Sequence, residues 1–378
     1  MKHILITGGA GFIGSNLALK LASEGYSVRV IDNLSKQIHG NHPETTSPLY
    51  QSIIDKVDFI KGDVTKKSDI EKAIYGQDAI VHLAAETGTG QSMYEIKKYC
   101  DVNIGGTAML LDVITNNKHH LKKLIVASSR AIYGEGKYKC LKHGIVYPEV
   151  RNDDYLKRGD FECKCPFCNK TVQLLPTSED SMIHPTSIYG ITKQNQEQMV
   201  LTIGKTIGIP SVSFRYQNVY GPGQSLSNPY TGILSIFSTQ IRNDQDINIF
   251  EDGKESRDFV YIDDVVDATI LGLENEAANN EAFNVGADKP IDVNTVASTL
   301  KKEFNANNNI FVSGNYRVGD IRHNYADLSK IRMKLGYNPK FNFKRGISKF
   351  CEWVKNQNSA TINYKESINE LKDRNLFK

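Results

Sequence analysis

The chain has 378 residues, 40% of them apolar and 24% charged, which is the composition of an ordinary globular protein with one or two domains. Its 46 basic and 43 acidic residues leave a net charge of only +3, which excludes the strongly basic surface that nucleic-acid binding needs. Because no run of eighteen apolar residues occurs and glycines break the first apolar stretch, we expect no membrane span and no signal peptide, and we expect a cytoplasmic protein.

The first predicted element is a buried strand, HILIT, followed directly by Gly8, Gly11, Gly14 and the helical pattern SNLALKLASEG. A glycine turn between a strand and a helix lets the backbone and the helix N-terminus approach a pyrophosphate. A second strand, YSVRVID, ends at Asp32, where a carboxylate would bind the adenosine ribose hydroxyls and repel a 2′-phosphate. This pattern predicts a dinucleotide site and favours NAD over NADP.

Strands and helices continue to alternate along the chain. VDFIKGDV ends a third strand at Asp63, AIVHLAAET contains a fourth, DVNIGGTAMLLDVI indicates a helix opened by Asn103, and KLIVASS indicates another strand. This alternation predicts an α/β fold with a Rossmann-type, doubly wound parallel sheet and ligands at the carboxyl ends of its strands. The residues expected at the cofactor in this part of the chain are Gly8, Gly11, Phe12, Ile13, Gly14, Asp32, Asn33, Asp63, Val64, Leu83, Ala84, Ala85 and Asn103.

Three residues have the chemistry of a proton-transfer set. Tyr189 and Lys193 stand four residues apart in SIYGITK, so on a helix they share one face, and we expect the ammonium to lower the pKa of the phenol. Ser129 ends the KLIVASS strand. Because hydride transfer at a carbinol carbon needs an acid/base on its oxygen, we predict that Tyr189, Ser129 and Lys193 are catalytic. Tyr189 and Lys193 are also expected at the cofactor, where Lys193 would bind the nicotinamide ribose.

These motifs together resemble a known family. The glycine turn, Ser129 four places before Tyr133 and Gly134, and the Tyr-x-x-x-Lys pair are similar to those of extended short-chain dehydrogenase/reductases of the nucleotide-sugar epimerase and dehydratase kind, over residues 1–357. The resemblance implies NAD as the cofactor, a nucleotide-diphosphate sugar as the substrate, a smaller discontinuous C-terminal substrate-binding lobe, and a homodimer.

The resemblance also implies substrate contacts. Asn218 in RYQNVYGPGQ resembles the residue that holds the sugar diphosphate, and Arg257 in RDFVYIDD resembles an arginine that clamps a phosphate. Arg322 in YRVGDIRHNYADLS is expected near the diphosphate or the sugar, with a surface salt bridge as the alternative. The full set of expected substrate contacts is Thr87, Ser129, Arg130, Asn218, Arg257 and Arg322.

The two residues after Ser129 separate activities within the family. Sugar 4,6-dehydratases carry Asp-Glu there and the epimerase/reductases that act at C3 and C5 carry a cysteine, whereas this chain has Arg130 and Ala131. The phrases AAETGTGQSMYE, SSRAIYGEG and YRVGDIRHNYADLS resemble the dTDP-L-rhamnose 4-epimerase branch, which is related to UDP-glucose 4-epimerases. We therefore predict an NAD-dependent 4-epimerase of a dTDP-6-deoxyhexose such as dTDP-L-rhamnose. A UDP-hexose 4-epimerase and an NAD(P)-dependent nucleotide-sugar reductase or dehydrogenase are the alternatives.

An extra stretch of about forty residues, 138–178, precedes the Tyr189 helix and contains most of the cysteines. Without a secretion signal, cysteines at such short spacings predict thiols or a metal site and not disulfides. The predicted ligands of a structural zinc ion are Cys140, His143, Cys165 and Cys168. Cys163 is an alternate for His143, and a set of free thiols is the other interpretation.

The predicted organisation therefore has four parts. They are an NAD-binding Rossmann domain at 1–137 and 179–216, a Cys-rich insertion at 138–178, a substrate-binding lobe mainly at 217–357 with some segments returning to the Rossmann domain, and a tail at 358–378. The tail has a charged helical pattern with Leu371 and Leu376, and we expect a terminal helix or a frayed end without a visible function.

Overall fold

A computed structural model describes residues 1–228, 230, 232–357 and 364–378, so the first six residues of the predicted tail lie outside the described ones. The strands of the described parts are β1 (His3–Thr7), β2 (Ser27–Asp32), β3 (Asp58–Lys61), β4 (Ala79–His82), β5 (Lys123–Ser129), β6 (Tyr138–Cys140), β7 (Gly144–Val146), β8 (Gln173–Leu174), β9 (Ser211–Tyr216), β10 (Asn218–Tyr220), β11 (Ile247–Ile249), β12 (Ser256–Tyr261), β13 (Glu281–Val285), β14 (Pro290–Asp292), β15 (Ile310–Val312) and β16 (His323–Asn324).

The α-helices of the same parts are α1 (Phe12–Ser23), α2 (Lys36–His39), α3 (Pro43–Thr46), α4 (Pro48–Ile53), α5 (Lys67–Ile74), α6 (Thr89–Ser92), α7 (Ile96–Tyr99), α8 (Gly106–Asn116), α9 (Asp153–Leu156), α10 (Ile188–Ile207), α11 (Ile233–Arg242), α12 (Ile262–Glu274), α13 (Val293–Phe304), α14 (Ser329–Leu335), α15 (Phe343–Lys355) and α16 (Tyr364–Asp373). A π-helix, Cys100–Gly105, joins α7 to α8, and short 3₁₀ turns occur at Arg130–Tyr133 and Glu276–Ala278. Within the described ranges, no helix combines the length and the apolar character that crossing a membrane would require.

A seven-stranded parallel sheet forms the centre of the molecule, in the order β3-β2-β1-β4-β5-β9-β13. All seven residues of β5 are buried, as are the four of β4, because helices cover both faces of a parallel sheet. The strand order reverses between β1 and β4, which opens a crevice at the carboxyl ends of these strands. The predicted doubly wound α/β fold is confirmed.

A second group of elements follows β9. It contains a sheet of β10, β12, β14 and β16, a pair formed by β11 and β15, and the helices α11, α13 and α15. The ring of Tyr220 lies at the centre of its aromatic core, with ring centroids 5.6 Å from Tyr261 and 6.3 Å from Phe350. β13 returns from this part of the chain to the edge of the large sheet.

The Cys-rich insertion has a small fold of its own. The antiparallel sheet β7-β6-β8 carries a core that includes Tyr138, Val146 and Val172. The guanidinium of Arg151 donates to both carboxylate oxygens of Glu251 at 2.8 and 2.7 Å, which ties the insertion to the second group of elements.

The helix expected to open at Asn103 is different in the structure. α7, the π-helix and α8 run without a break from Ile96 to Asn116, and Asn103 is fully buried within the π-helix. An asparagine read as a cap therefore lies inside a helix, at the kind of one-turn π-bulge that is frequent at functional sites.

Candidate active site

A cavity of about 450 Å³ lies in the crevice at the carboxyl ends of the central strands. Most of the residues predicted at the cofactor line it, namely Gly8, Gly11, Phe12, Ile13, Gly14, Asp32, Asn33, Asp63, Val64, Leu83, Ala84, Ala85, Tyr189 and Lys193. Backbone groups and small side chains from the ends of β1, β2 and β4 therefore surround one elongated space.

The turn from β1 to α1 depends on glycine. Gly8 has φ +66°, and a Cβ there would lie 2.8 Å from the Cα of Ala84 in the segment after β4. Gly11 is the N-cap of α1 and offers no side-chain acceptor to the first N–H groups of the helix. The start of α1 therefore keeps amide donors for an anion, which fits the predicted pyrophosphate site.

The carboxylate of Asp32 lies at the wall of this cavity and also holds the glycine turn. It accepts hydrogen bonds from the backbone N–H groups of Ala10 at 3.0 Å and Leu34 at 2.9 Å. Burial raises the pKa of Asp32, while the N–H of Leu34 and the charge of His39 oppose the shift. The backbone N–H groups of Ala10 and Leu34 thus hold the Asp32 carboxylate in position at the cavity wall.

Ser129 and Tyr189 meet where β5 ends and α10 begins. Ser129 accepts a hydrogen bond from the N–H of Ala131 at 3.1 Å, and its hydroxyl is close enough to the phenol of Tyr189 to lower the pKa of that phenol. A Cβ at Gly190 would lie 2.6 Å from the carbonyl oxygen of Ala131, so a glycine there allows α10 to approach this closely. Burial raises the pKa of Tyr189, although Ser129 and the charge of Arg130 lower it.

Lys193 is fixed by a buried polar chain. Its ammonium donates to Oε1 of Gln196 at 2.7 Å, and Nε2 of Gln196 donates to Thr107 at 2.8 Å. Burial lowers the pKa of Lys193 to about 7, with Glu197 opposing the shift. The expectation that Lys193 lowers the pKa of Tyr189 is therefore corrected, because the ammonium faces Gln196 and burial dominates the titration of the phenol.

Asn103 does not line the cavity, which corrects its prediction as a cofactor contact. Its Oδ1 accepts from the backbone N–H of Glu86 at 2.7 Å, and its Nδ2 donates to the carbonyl of Glu86 at 3.1 Å and to Thr192 at 2.9 Å. Asn103 thus positions the loop after β4, which does line the cavity, against α10.

A second cavity of about 310 Å³ adjoins the first. Among the predicted substrate residues, Thr87 and Ser129 line the first cavity, Arg257 lines the second, and Arg130 and Asn218 line both. Burial lowers the pKa of Arg130 to about 10, and the charge of Arg257 adds to this effect. Two arginines that line one cavity, with charges close enough to repel each other, form a favourable environment for an anion.

Arg322 contacts neither cavity, so the expectation that it binds substrate is corrected. The side chain is fully buried and donates to Glu162 at 2.7 Å, to Asp252 at 2.7 Å and to Glu251 at 2.9 Å. The alternative of a salt bridge is closer to the structure, but the bridge is internal and joins the insertion to the second group of elements.

Comparison with known proteins identifies the family. The description "NAD dependent epimerase/dehydratase family" matches residues 4–149 and 165–286, which is well over half of the chain. The chain belongs to this family. A dTDP-L-rhamnose 4-epimerase of Burkholderia thailandensis is 37% identical over 356 residues, with 93% of this chain and 95% of the relative covered.

Solved structures of family members have the same fold. A UDP-glucose 4-epimerase of Thermotoga maritima with UDP-glucose has a TM-score of 0.76 and 29% identity, covering 93% of this chain and 98% of its own. A UDP-glucuronic acid 4-epimerase of Bacillus cereus, in complex with UDP-glucuronic acid and NAD, has a TM-score of 0.75 and 28% identity, covering 93% and 99%. These findings confirm the predicted family and the prediction of an NAD-dependent nucleotide-sugar epimerase.

Several residues of this epimerase's second cavity were not predicted. Arg317 lines it, whereas Arg322 of the same phrase was the predicted contact, because nothing in the spacing distinguishes the two arginines. Tyr364, Ser367 and Leu371 also line it, and they belong to the tail that lies beyond the family resemblance.

The four predicted zinc ligands come together in the insertion. The ligand atoms of Cys140, His143, Cys165 and Cys168 all lie within 4.8 Å of one another. The alternate ligand, Cys163, is outside this group and donates to the hydroxyl of Tyr138 at 3.3 Å.

Proposed function

We propose that this epimerase inverts C4 of a nucleotide-diphosphate sugar, and that the sugar is a 6-deoxyhexose carried by dTDP, such as dTDP-L-rhamnose. The observation that carries the proposal is the position of Tyr189, which lies in the wall shared by the two cavities, with Ser129 lining the first cavity beside it. The choice of sugar is supported by the resemblance of the sequence and by the relative described as a dTDP-L-rhamnose 4-epimerase.

The first cavity fits NAD, since it combines the glycine turn, free amides at the start of α1 and the Asp32 carboxylate. NAD, when bound, supplies a hydride acceptor that returns the hydride within the same cycle. In the proposed mechanism the phenol oxygen of Tyr189 exchanges the proton of the C4 hydroxyl, and Ser129 holds that hydroxyl. Lys193, which its hydrogen bond to Gln196 holds one turn from Tyr189 at the cavity wall, would bind the nicotinamide ribose.

The second cavity accommodates the nucleotide sugar in this proposal. Arg130 and Arg257 would bind the diphosphate, because both residues line this cavity and their positive charges lie close together. Epimerisation also requires that the 4-keto sugar turn its other face to the cofactor while the diphosphate stays in place. The small residues Gly88 and Thr89 line this cavity, which supports the room that such a rotation needs.

Turnover without added cofactor tests the proposal. Purified protein is incubated with dTDP-L-rhamnose, and products are followed by chromatography while nicotinamide absorbance is recorded. We expect the C4 epimer to form with no net change in absorbance. An absolute requirement for added cofactor, with stoichiometric NADH, would show a dehydrogenase instead. Turnover of UDP-glucose but not of dTDP-L-rhamnose would favour the UDP-hexose alternative.

We also propose that the insertion binds a structural zinc ion. With Zn–S and Zn–N bonds of about 2.3 and 2.0 Å, a tetrahedral site has ligand edges of about 3.5 to 3.8 Å. The sulfur atoms of Cys140 and Cys168 are 3.7 Å apart, and Nδ1 of His143 lies 3.6 Å from Cys140 and 3.4 Å from Cys165. All four positions are taken by side chains, so the ion would order the insertion and take no part in the reaction.

Metal analysis of the purified protein tests the zinc proposal. We expect about one zinc per chain, loss of zinc in Cys168→Ser, and full retention in Cys163→Ser, because Cys163 is a buried thiol outside the cluster. Retention in both variants would show that the cluster does not bind the ion.

We further propose a cytoplasmic homodimer that forms through α10. The family resemblance supports this assembly, and Ile191 on α10 is an apolar side chain that is 41% exposed. The six cysteines, all among the described residues, form no disulfide, as expected in a reducing compartment. Light scattering during size-exclusion chromatography should give twice the chain mass, and Ile191→Glu should give the monomer.

A further inference from the structure

The end of the chain forms part of the second cavity. α16 contributes Tyr364, Ser367 and Leu371 to its lining, and Leu371 is only 4% exposed. The methyl groups of Leu371 lie 3.8 and 4.0 Å from the position that a Cβ on Gly90 would occupy. Gly90 belongs to α6, whose Ser92 hydroxyl accepts a hydrogen bond from the N–H of Tyr189. Leu371 therefore packs against α6 in the wall of the cavity that Tyr189 also lines.

A three-residue contact holds α16 in this position. Oε2 of Glu370 accepts hydrogen bonds from the phenols of Tyr94 at 2.7 Å and Tyr230 at 2.6 Å, and the two phenol oxygens are 2.6 Å apart. Tyr230 lines both cavities, and the guanidinium of Arg374 lies 4.4 Å from the ring centre of Tyr94. The carboxylate thus joins the C-terminal helix to Tyr94 and to Tyr230 of the cavity wall.

The residues after α16 are anchored by the backbone. Tyr316 and Lys378 exchange two N–H to carbonyl hydrogen bonds at 2.8 and 3.0 Å, and Val318 donates to Leu376 at 3.0 Å. The segment paired in this way continues into the cavity wall through Val318. The expected terminal helix is present as α16, and residues 364–378 are held by backbone pairing at one end and by the contacts of Glu370 at the other.

We propose that residues 364–378 are a clamp that keeps the oxidised sugar in the site until the hydride returns. The proposal rests on the proposed 4-epimerase function. In the oxidised intermediate the C4 hydride is on the nicotinamide, the hydroxyl proton is on Tyr189 and C4 is a ketone. If the ketone leaves at this point, the chain keeps NADH and cannot restart. A weaker clamp must therefore increase both substrate release and the amount of NADH left on the protein.

Glu370→Gln tests the clamp, and Glu366→Gln is the matched control. Glu366 lies on the same helix, is exposed and does not line either cavity. Glutamine keeps the shape at position 370 but replaces a charged acceptor of two hydrogen bonds by a neutral one. For E370Q we expect a KM for dTDP-L-rhamnose about tenfold above that of the wild type, and NADH accumulation per turnover raised by a similar factor. E366Q should match the wild type in both.

Two measurements distinguish a failure of the clamp proposal from a failure of the proposed 4-epimerase function. Titration calorimetry with dTDP-L-rhamnose, carried out on variants that also contain Tyr189→Phe, measures affinity with turnover suppressed, and we expect E370Q to bind about tenfold more weakly than E366Q. Equal affinity and equal NADH accumulation in E370Q and the wild type would overturn the clamp. Failure of the wild type to form any C4 epimer would instead overturn the proposed function, and the calorimetric comparison would still decide whether residues 364–378 hold a nucleotide sugar.

Discussion

Replacement of Arg322 by methionine distinguishes a substrate-binding arginine from a structural one. Methionine keeps an unbranched apolar side chain but removes the charge and every N–H donor. In the structure the guanidinium of Arg322 is fully buried against Glu162, Asp252 and Glu251 and does not face either cavity. We therefore expect Arg322→Met to lower the free energy of unfolding and to leave nucleotide-sugar affinity unchanged.

The expected loss of unfolding free energy follows from the positive charge and the hydrogen bonds that the three carboxylates lose. Removing one partner of a buried ion pair costs about 3 to 5 kcal/mol, because the other charge stays buried. Two features place this case at the lower end. Glu251 keeps both hydrogen bonds from Arg151, and the side chains of Glu162 and Asp252 are 38% and 35% exposed, so water can solvate them. We expect a loss of about 3 kcal/mol.

Urea unfolding, followed through the single tryptophan Trp353, measures the loss of stability, and calorimetry with dTDP-L-rhamnose measures affinity. Arg332→Met is the control, since Arg332 forms a surface pair with Asp288 that is 41% and 36% exposed and should contribute less than about 1 kcal/mol. Unchanged stability together with a loss of affinity above about tenfold would refute the structural assignment of Arg322.

Three further predictions concern the active site. Tyr189→Phe should lower kcat by about 10² to 10⁴ and leave sugar binding intact, as measured by product formation and calorimetry. Burial places the pKa of Lys193 at about 7, below its ordinary value of 10.5, so between these values the unfolded chain holds a proton that the native chain has released. Stability should therefore rise by about 2 kcal/mol from pH 7 to pH 9 relative to Lys193→Met, as measured by urea unfolding at each pH. Asp32→Ser should weaken NAD binding and reduce the preference for NAD over NADP, as measured by fluorescence titration with both nucleotides.

Each of these three predictions has a result that would contradict it. Full activity in Tyr189→Phe would show that another group transfers the proton. Identical pH dependence of stability in the wild type and Lys193→Met would mean that the lysine keeps its ordinary pKa. Unaltered discrimination between NAD and NADP in Asp32→Ser would move the choice of cofactor to other residues.

Local patterns in the sequence were sufficient for much of this site. The strand, glycine turn and helix around Gly8, and the strand that ends at Asp32, depend on neighbours in the chain, so their arrangement follows from spacing and residue type. The four-residue spacing of Tyr189 and Lys193 places both on one helix for the same reason. Two closely spaced pairs, Cys140 with His143 and Cys165 with Cys168, also indicated the cluster that the structure assembles.

Only the tertiary structure decided those features of the site that depend on contacts between residues far apart in the sequence. It placed Arg317 at the cavity and Arg322 inside an ion network, although the two arginines share one phrase. The direction in which the pKa of Tyr189 shifts depends on how deeply packing buries the phenol, which no local pattern encodes. Glu370 meets Tyr94 and Tyr230 from 276 and 140 residues away, so the sequence by itself determined the chemistry of the site, while folding determined which part of the chain encloses it.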